Sequence, residues 1–417
     1  MKKIYYRTAM LVAAVLTAVT CYVEKPFPDD EELMGEQLPA WKAGYLDIHH
    51  ISTGRGDCTF MILPDGTTMM VDAGDLSPKG KTQEIMELVP DSRMTAGGWI
   101  SLYAKKFLTD AGLQPDRLDY FLVTHFHDDH VGNPLNGGTS GKGYVKVGVS
   151  EVGSRMQVGK IVDRGWPYDS DCPNFDVFKN SMVMNYRAFL TDRGAGMEGD
   201  PAERFVVGSN EQFALRYDKA TYPDFEIRNI YCNGDIWVPS SGKTENLIPE
   251  DASSSAMSDE NIWSSVINVK YGKFSYHCGG DILNTWNIET RVAETIGQTD
   301  VYSCDHHANG TMVEAVLRAT TPQVFVIPVW DYYHPQPPAL RNMTDKTIYP
   351  DDRLIYPAGM LDSNRERLKN DGSDQILQDG HIVVRVYEGG ETFQVFVLND
   401  RSIYYDVLHK SQILTSK

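Results

Sequence analysis

A chain of 417 residues with 57 Asp and Glu against 39 Lys and Arg, a formal charge of −18, is long enough to bury a substantial core. Its 41% hydrophobic and 11% aromatic content, and the lack of repeats, exclude disordered, collagen-like and coiled-coil classes. The acidic balance disfavours general nucleic-acid binding, which needs clustered cations.

Residues 1–21 join a basic start (Lys2, Lys3, Arg7) to an apolar run from Ala9 to Val19. That run is too short to span a bilayer and predicts a signal peptide. Cys21 ends it where a bacterial lipoprotein is cleaved and lipidated, although Ala18-Val19-Thr20 departs from the usual Leu-Ala-Gly and leaves ordinary cleavage open. The expectation is an exported protein, periplasmic or at the cell surface, attached to membrane only through a lipid on Cys21. Residues 22–43 follow as an acidic tether containing Asp29-Asp30-Glu31-Glu32. Loss of residues 1–20 removes three cations and takes the charge from −18 to −21. Five further cysteines show no CxxC or regular framework, so disulfides do not hold the fold; an oxidising compartment would allow one bridge, for example Cys172–Cys232.

From Gly44 to His50, apolar and polar residues alternate as in a strand. Cys58–Leu63 and Thr67–Val71 around Pro64-Asp65-Gly66 predict a hairpin, ending in Asp72-Ala73-Gly74-Asp75. The apolar spacing predicts a helix over Trp99–Ala111, stopped by Gly112, and Leu118–Thr124 reads as a buried strand. Residues 131–260 read as irregular apart from one helix near Phe175–Leu190. Strands are expected within Asn261–Tyr276 and Gln323–Trp330, and helices over Ile282–Ile296 and Met312–Ala319. A closing hairpin joins Ile382–Val386 to Phe393–Leu398. This order implies a layered α/β domain over 44–400, interrupted at about 131–260 and followed by a tail, 401–417.

The chemical signal is Thr124-His125-Phe126-His127-Asp128-Asp129-His130, three His and two Asp within six residues directly after an apolar strand. Imidazoles and carboxylates converging from one loop suit zinc or another divalent metal. Other histidines (His49, His50, His277, His381, His409) fall in strand-like or isolated positions and read as structural, and Asp57 and Asp75 read as loop-shaping carboxylates. Aromatic residues within 328–335 (Trp330, Tyr332, Tyr333) are candidates to line a substrate cleft. No Gly-x-Ser-x-Gly elbow competes with a metal mechanism.

His-x-His-x-Asp-His followed by Val131-Gly132 closely resembles the hallmark of the metallo-β-lactamase superfamily. Leu46-Asp47-Ile48, Gly54-Arg55-Gly56-Asp57-Cys58, Leu63-Pro64-Asp65-Gly66 and Val71-Asp72-Ala73-Gly74 resemble the opening of ComEC-type hydrolase domains, a branch that also includes phosphorylcholine esterases. Later steps of that pattern match Gly279-Gly280-Asp281, Asp305-His306-His307 and His334-Pro335-Gln336-Pro337, with Ala308-Asn309 in place of Gly-Ser. The resemblance covers 44–132 and 261–398. It implies a four-layer αββα metallo-β-lactamase sandwich with a large insertion, binding two divalent ions, zinc or alternatively manganese.

The resemblance also implies the ligands. Many members carry a further His before the bridging Asp, but residues 131–276 contain none. One metal is therefore assigned to His125, His127, Asp281 and His307, and the other to Asp129, His130, Asp281 and His334, with Asp281 shared. His306 is the rival to His307, and Asp72 is expected to orient a ligand His. The implied chemistry is metal-dependent hydrolysis by a hydroxide between the two ions, steered by Asp129, most suitably on phosphoesters or phosphodiesters. The substrate would be a small-molecule or envelope-associated ester. A β-lactamase or lactonase, or a surface binding protein that keeps the fold without activity, are the alternatives.

Overall fold

The computed structural model describes residues 33–195 and 197–417; the signal segment and Cys21 lie outside them. Period-2 alternation shapes its strands. In the strand Leu46–His50, Leu46 and Ile48 enter the core between two sheets, while His49 turns to the opposite face and packs on Tyr103 and Phe107. The expected hairpin forms from Thr59–Ile62 and Thr68–Val71, with Phe60 facing outward with Met70 and Met61 inward with Met69.

The first sheet runs in the order Val407–Lys410, Thr392–Leu398, His381–Val386, Leu46–His50, Thr59–Ile62, Thr68–Val71, Arg117–Val123, Gln157–Asp163, Glu203–Arg204. The second runs Lys243–Asn246, Asp235–Val238, Phe225–Cys232, Val266–Tyr271, Phe274–Cys278, Val301–Ser303, Val324–Pro328, Leu354–Ala358. Leu46, Met69 and Leu122 of one sheet meet Ile267, Tyr276 and Val326 of the other. Helices Ala96–Asp110, Gly148–Arg155 and Ser181–Gly194 cover the first sheet through Ile100, Val152 and Phe189. Helices Ile288–Ile296, Glu314–Thr320 and Pro337–Thr344 cover the second through Val292, Leu317 and Leu340. This is the four-layer αββα sandwich that the resemblance implies.

Four expectations give way here. Residues 131–260 are not an irregular excursion: Gln157–Asp163 pairs in parallel with Arg117–Val123, and Phe225–Cys232 pairs with Val266–Tyr271. The segment thus contributes strands to both sheets. The tether ends earlier than residue 43, because Leu33, Leu38 and Trp41 are buried in the helix-side core and Gly35 N–H donates to Val407 O at 2.9 Å. The tail is also structured, since Val407–Lys410 and Leu414–Thr415 extend the first sheet. All five described cysteines are free; Cys172 lies against Arg164 and Cys232 against Ser265 Oγ (3.4 Å), so the suggested bridge is absent.

Of the histidines read as structural, His49, His50, His277 and His381 are buried in this core, and His409 is partly exposed on the edge strand Val407–Lys410. His381 Nδ1 accepts the Ser52 N–H at 3.1 Å, which requires a neutral ring, and His50 lies between Thr59 and the Tyr276 hydroxyl. Burial pushes both rings down to about 3. Because their folded values lie below the unfolded one, their stabilisation is complete above about pH 6.5 and is lost as pH falls from there toward 3. Between pH 7.5 and 5.5 the two rings together are expected to cost about 3 kcal/mol. Urea midpoints of chelator-treated protein at the two pH values check this, and equal midpoints would refute it.

Candidate metal centre

Both sheets deliver the site from strand ends. Arg117–Val123 runs directly into Thr124–His130, Phe274–Cys278 into Gly279-Gly280-Asp281, and Val301–Ser303 into Cys304–His307. Small residues let these loops touch. A Cβ on Gly74 would stand 1.9 Å from Asp129 O, and one on Gly279 would stand 1.9 Å from Asp305 Oδ1. Any larger side chain at either position would push a ligand loop out of place. Phe126, wholly buried, packs on Tyr168, Phe178 and Tyr186 and so anchors the loop between His125 and His127.

Asp72 holds two of the imidazoles. One of its oxygens, Oδ2, lies 2.7 Å from His130 Nδ1 and accepts the Thr124 hydroxyl at 2.6 Å, while Thr124 Oγ1 in turn faces His125 Nδ1 at 3.1 Å. The other, Oδ1, accepts the Thr124 N–H at 2.8 Å. With both Nδ1 atoms occupied, His125 and His130 present Nε2 toward the centre. A carboxylate behind a ligating histidine fixes its tautomer in just this way.

Two groups of donor atoms result, each clustered within 4.8 Å: His125, His127 and Asp281, and Asp129, His130, Asp281 and His307. His125 Nε2 lies 3.2 Å from His127 Nδ1 and 3.6 Å from Asp281 Oδ2. His130 Nε2 and His307 Nε2 each lie 3.1 Å from Asp281 Oδ1, and His307 Nε2 lies 3.7 Å from Asp129 Oδ2. His130 Nε2, His307 Nε2 and Asp281 Oδ1 are buried and, among the described residues, make no hydrogen bond. Convergent donors left unpaired in this way fit a bound cation, because unpaired polar atoms are otherwise rare and costly in a protein interior.

Electrostatics agree with that fit. Burial holds His125 and His307 well below the ordinary imidazole range, in the neutral form that ligates metal. Burial alone would raise Asp281, but His130, His307 and His125 outweigh it and keep the carboxylate well below its usual range. Asp57, read from sequence as loop-shaping, is the group that reading missed. Burial pushes it up to about 7; His130 opposes, while Asp72, Asp281 and Asp129 add to the rise. Its N–H donates to Asp129 O at 2.8 Å, so the Gly-x-Gly-Asp turn carries a further carboxyl to the rim of the centre.

Two assignments change. His307 joins Asp129 and His130 rather than His125 and His127. His334 belongs to neither group: its Nδ1 lies 3.5 Å from Asp331 Oδ1, and its ring packs on Trp330 (5.2 Å) and His307 (4.9 Å). The loop that follows Val324–Pro328 thus sets the His334 ring beside His307 and outside both donor groups. His306 turns away, its Nδ1 donating to Asn309 O at 2.6 Å. Of the candidate cleft aromatics, Trp330 is buried against His307 at 4.0 Å, and Tyr333 is exposed.

Residues 52–133 match the family described as "Metallo-beta-lactamase superfamily". That stretch includes Asp72 and all of His125–His130; Asp281 and His307 lie beyond it. Comparison with curated proteins gives no match. Among solved structures, the chain is similar to a protein described as a metal-dependent hydrolase from Parabacteroides distasonis ATCC 8503 (10% identity, 74% of this chain and 92% of that one, TM-score 0.34). It is also similar to the metallo-beta-lactamase fold protein YhfI from Bacillus subtilis (9% identity, 80% and 95%, TM-score 0.34). Human tRNase Z, short form (ELAC1), is a third (11% identity, 67% and 90%, TM-score 0.32).

Proposed function

We propose that this protein is an exported hydrolase that uses two divalent metal ions to cleave phosphoester or phosphodiester bonds. One observation carries the reading: the Asp281 carboxylate stands between two donor groups, Oδ2 facing His125 and Oδ1 facing His130 and His307. A carboxylate shared in this way can serve two cations at once. Two cations held by these residues would lower the pKa of a bound water and offset the charge developing on a substrate oxygen.

The chain's own residues supply position. Asp72 orients His125 and His130 through the contacts above. Asp129, whose side chain is about one-fifth exposed, lies at the open side of the centre and steers the attacking water. Trp330 and His334 pack on His307 and hold its ring in place. The acidic charge of −18 favours a small or zwitterionic ester over a polyanion.

Purified protein loaded with zinc or manganese is expected to turn over bis(p-nitrophenyl) phosphate and to leave nitrocefin and simple lactones untouched. Full metal loading without turnover of any phosphoester would overturn the reading; lactone or nitrocefin turnover alone would replace it with acyl hydrolysis. Export is tested separately. Full-length protein is expected in the membrane fraction and a Cys21→Ser variant in the soluble one, whereas equal partitioning would argue against a lipid anchor.

A further inference from the structure

We infer that Asn261 contributes its side-chain oxygen to the metal position formed by His125, His127 and Asp281, completing a set of donors that the chain otherwise leaves one short. The inference rests on the two-metal reading above. That position draws three donors from His, Cys, Asp and Glu, whereas its neighbour draws four, and no histidine occurs between residues 131 and 276 to make up the difference.

Asn261 sits in the turn Glu260–Trp263, and the segment around it is fastened to the loops that bear the ligands. Glu260 Oε1 accepts the N–H of Phe126, the residue between His125 and His127, at 3.1 Å. Ser264 Oγ accepts the Asp281 N–H at 3.2 Å, and Ser265 N–H donates to Thr124 O at 2.9 Å. The turn that bears Asn261 is therefore held against the two loops that form the three-donor group.

Its orientation follows from His306. Since His306 Nδ1 faces the Asn309 carbonyl at 2.6 Å, that nitrogen carries the proton, and Nε2 can only accept. Asn261 Nδ2 donates to Nε2 at 3.3 Å, which turns Oδ1 away from His306. Asn261 is 7% exposed, and among the described residues its Oδ1 is buried without a hydrogen-bond partner. The same holds for His130 Nε2, His307 Nε2 and Asp281 Oδ1, all donors of the neighbouring position. The tandem histidine thus has divided work: His307 is a donor of the centre, and His306 aims Asn261. A carboxamide oxygen is a hard donor, so its contribution favours manganese over zinc at this position.

The test is metal titration of the full chain after chelator stripping, read by calorimetry with MnCl2 and with ZnCl2. Wild type is expected to bind two ions. Asn261→Leu is expected to weaken one of them by at least about tenfold, more for manganese than for zinc, and to leave the other unchanged. An Asn261→Leu protein that binds both ions with wild-type affinity overturns the inference and leaves the two-metal reading standing. Wild type that takes up no metal overturns the two-metal reading itself. Should Asn261→Leu fail to fold, Asn261→Asp decides through the visible absorption of bound Co²⁺. The band shifts if residue 261 is a ligand, and an unshifted band overturns the inference.

Discussion

Asp281→Ala is expected to abolish hydrolysis of bis(p-nitrophenyl) phosphate and to lower metal content at both positions together. Its two oxygens are divided between the donor groups, so a single truncation takes a ligand from each. It also leaves His130 and His307 facing one another across an emptied space, since each reaches Asp281 Oδ1 at 3.1 Å. Two-metal charge stabilisation is worth several kcal/mol; about 4 kcal/mol corresponds to about 10³-fold in rate. Truncating a residue that serves only one position has a different signature: the second ion is retained and affinity falls at one site. Metal analysis beside turnover separates the cases. An Asp281→Ala protein that keeps two ions, or more than a tenth of wild-type activity, would contradict the shared carboxylate.

The centre was legible in sequence wherever its donors lie close together in the chain. Three imidazoles and two carboxylates between residues 125 and 130 follow a buried strand, and local spacing suffices to bring them to one point. Asp72 was legible for a related reason, since it ends a strand adjacent and parallel to the one that precedes His125. Distant donors were harder. His306 and His307 both adopt left-handed backbone, with φ of 46° and 57°, and which ring faces inward depends on that turn and on Asn309, not on residue type. His334 was assigned as a ligand from the His-Pro-Gln-Pro step alone, yet its loop leaves it beside His307 and outside both donor groups. The strands within 131–260 were missed although Phe225–Cys232 opens on the apolar and polar alternation of a half-buried strand. In Phe225–Cys232, Glu226 and Arg228 pair with each other at 2.7 Å on the partly exposed side, while Phe225 and Ile227 face the core. Asp57 escaped notice because a carboxylate after Gly-x-Gly reads as turn chemistry, and only the folded chain shows that Asp129 O packs against that turn.

Glu260→Ala is expected to destabilise the protein by about 3–5 kcal/mol, because it leaves a buried cation without its partner. Arg164 is fully buried; its Nε donates to Glu260 Oε1 at 2.7 Å and its Nη2 to Oε2, while its Nη1 reaches Pro173 O and Asn233 Oδ1 at 3.1 Å each. Removing the carboxylate strands that guanidinium, and the cost of doing so exceeds what the intact pair contributes over an apolar replacement. The double variant Arg164→Met/Glu260→Met is therefore expected to recover most of the lost stability in urea unfolding. It is not expected to recover metal affinity. Glu260 Oε1 also accepts the Phe126 N–H, and no methionine can replace that acceptor between the two ligand histidines. Glu260→Gln, which keeps an oxygen there but loses the charge, should behave in the opposite sense, binding metal more tightly than the double variant while unfolding at lower urea. If the double variant regains both stability and affinity, the carboxylate serves the core alone, and the histidine loop holds its geometry through Phe126 packing.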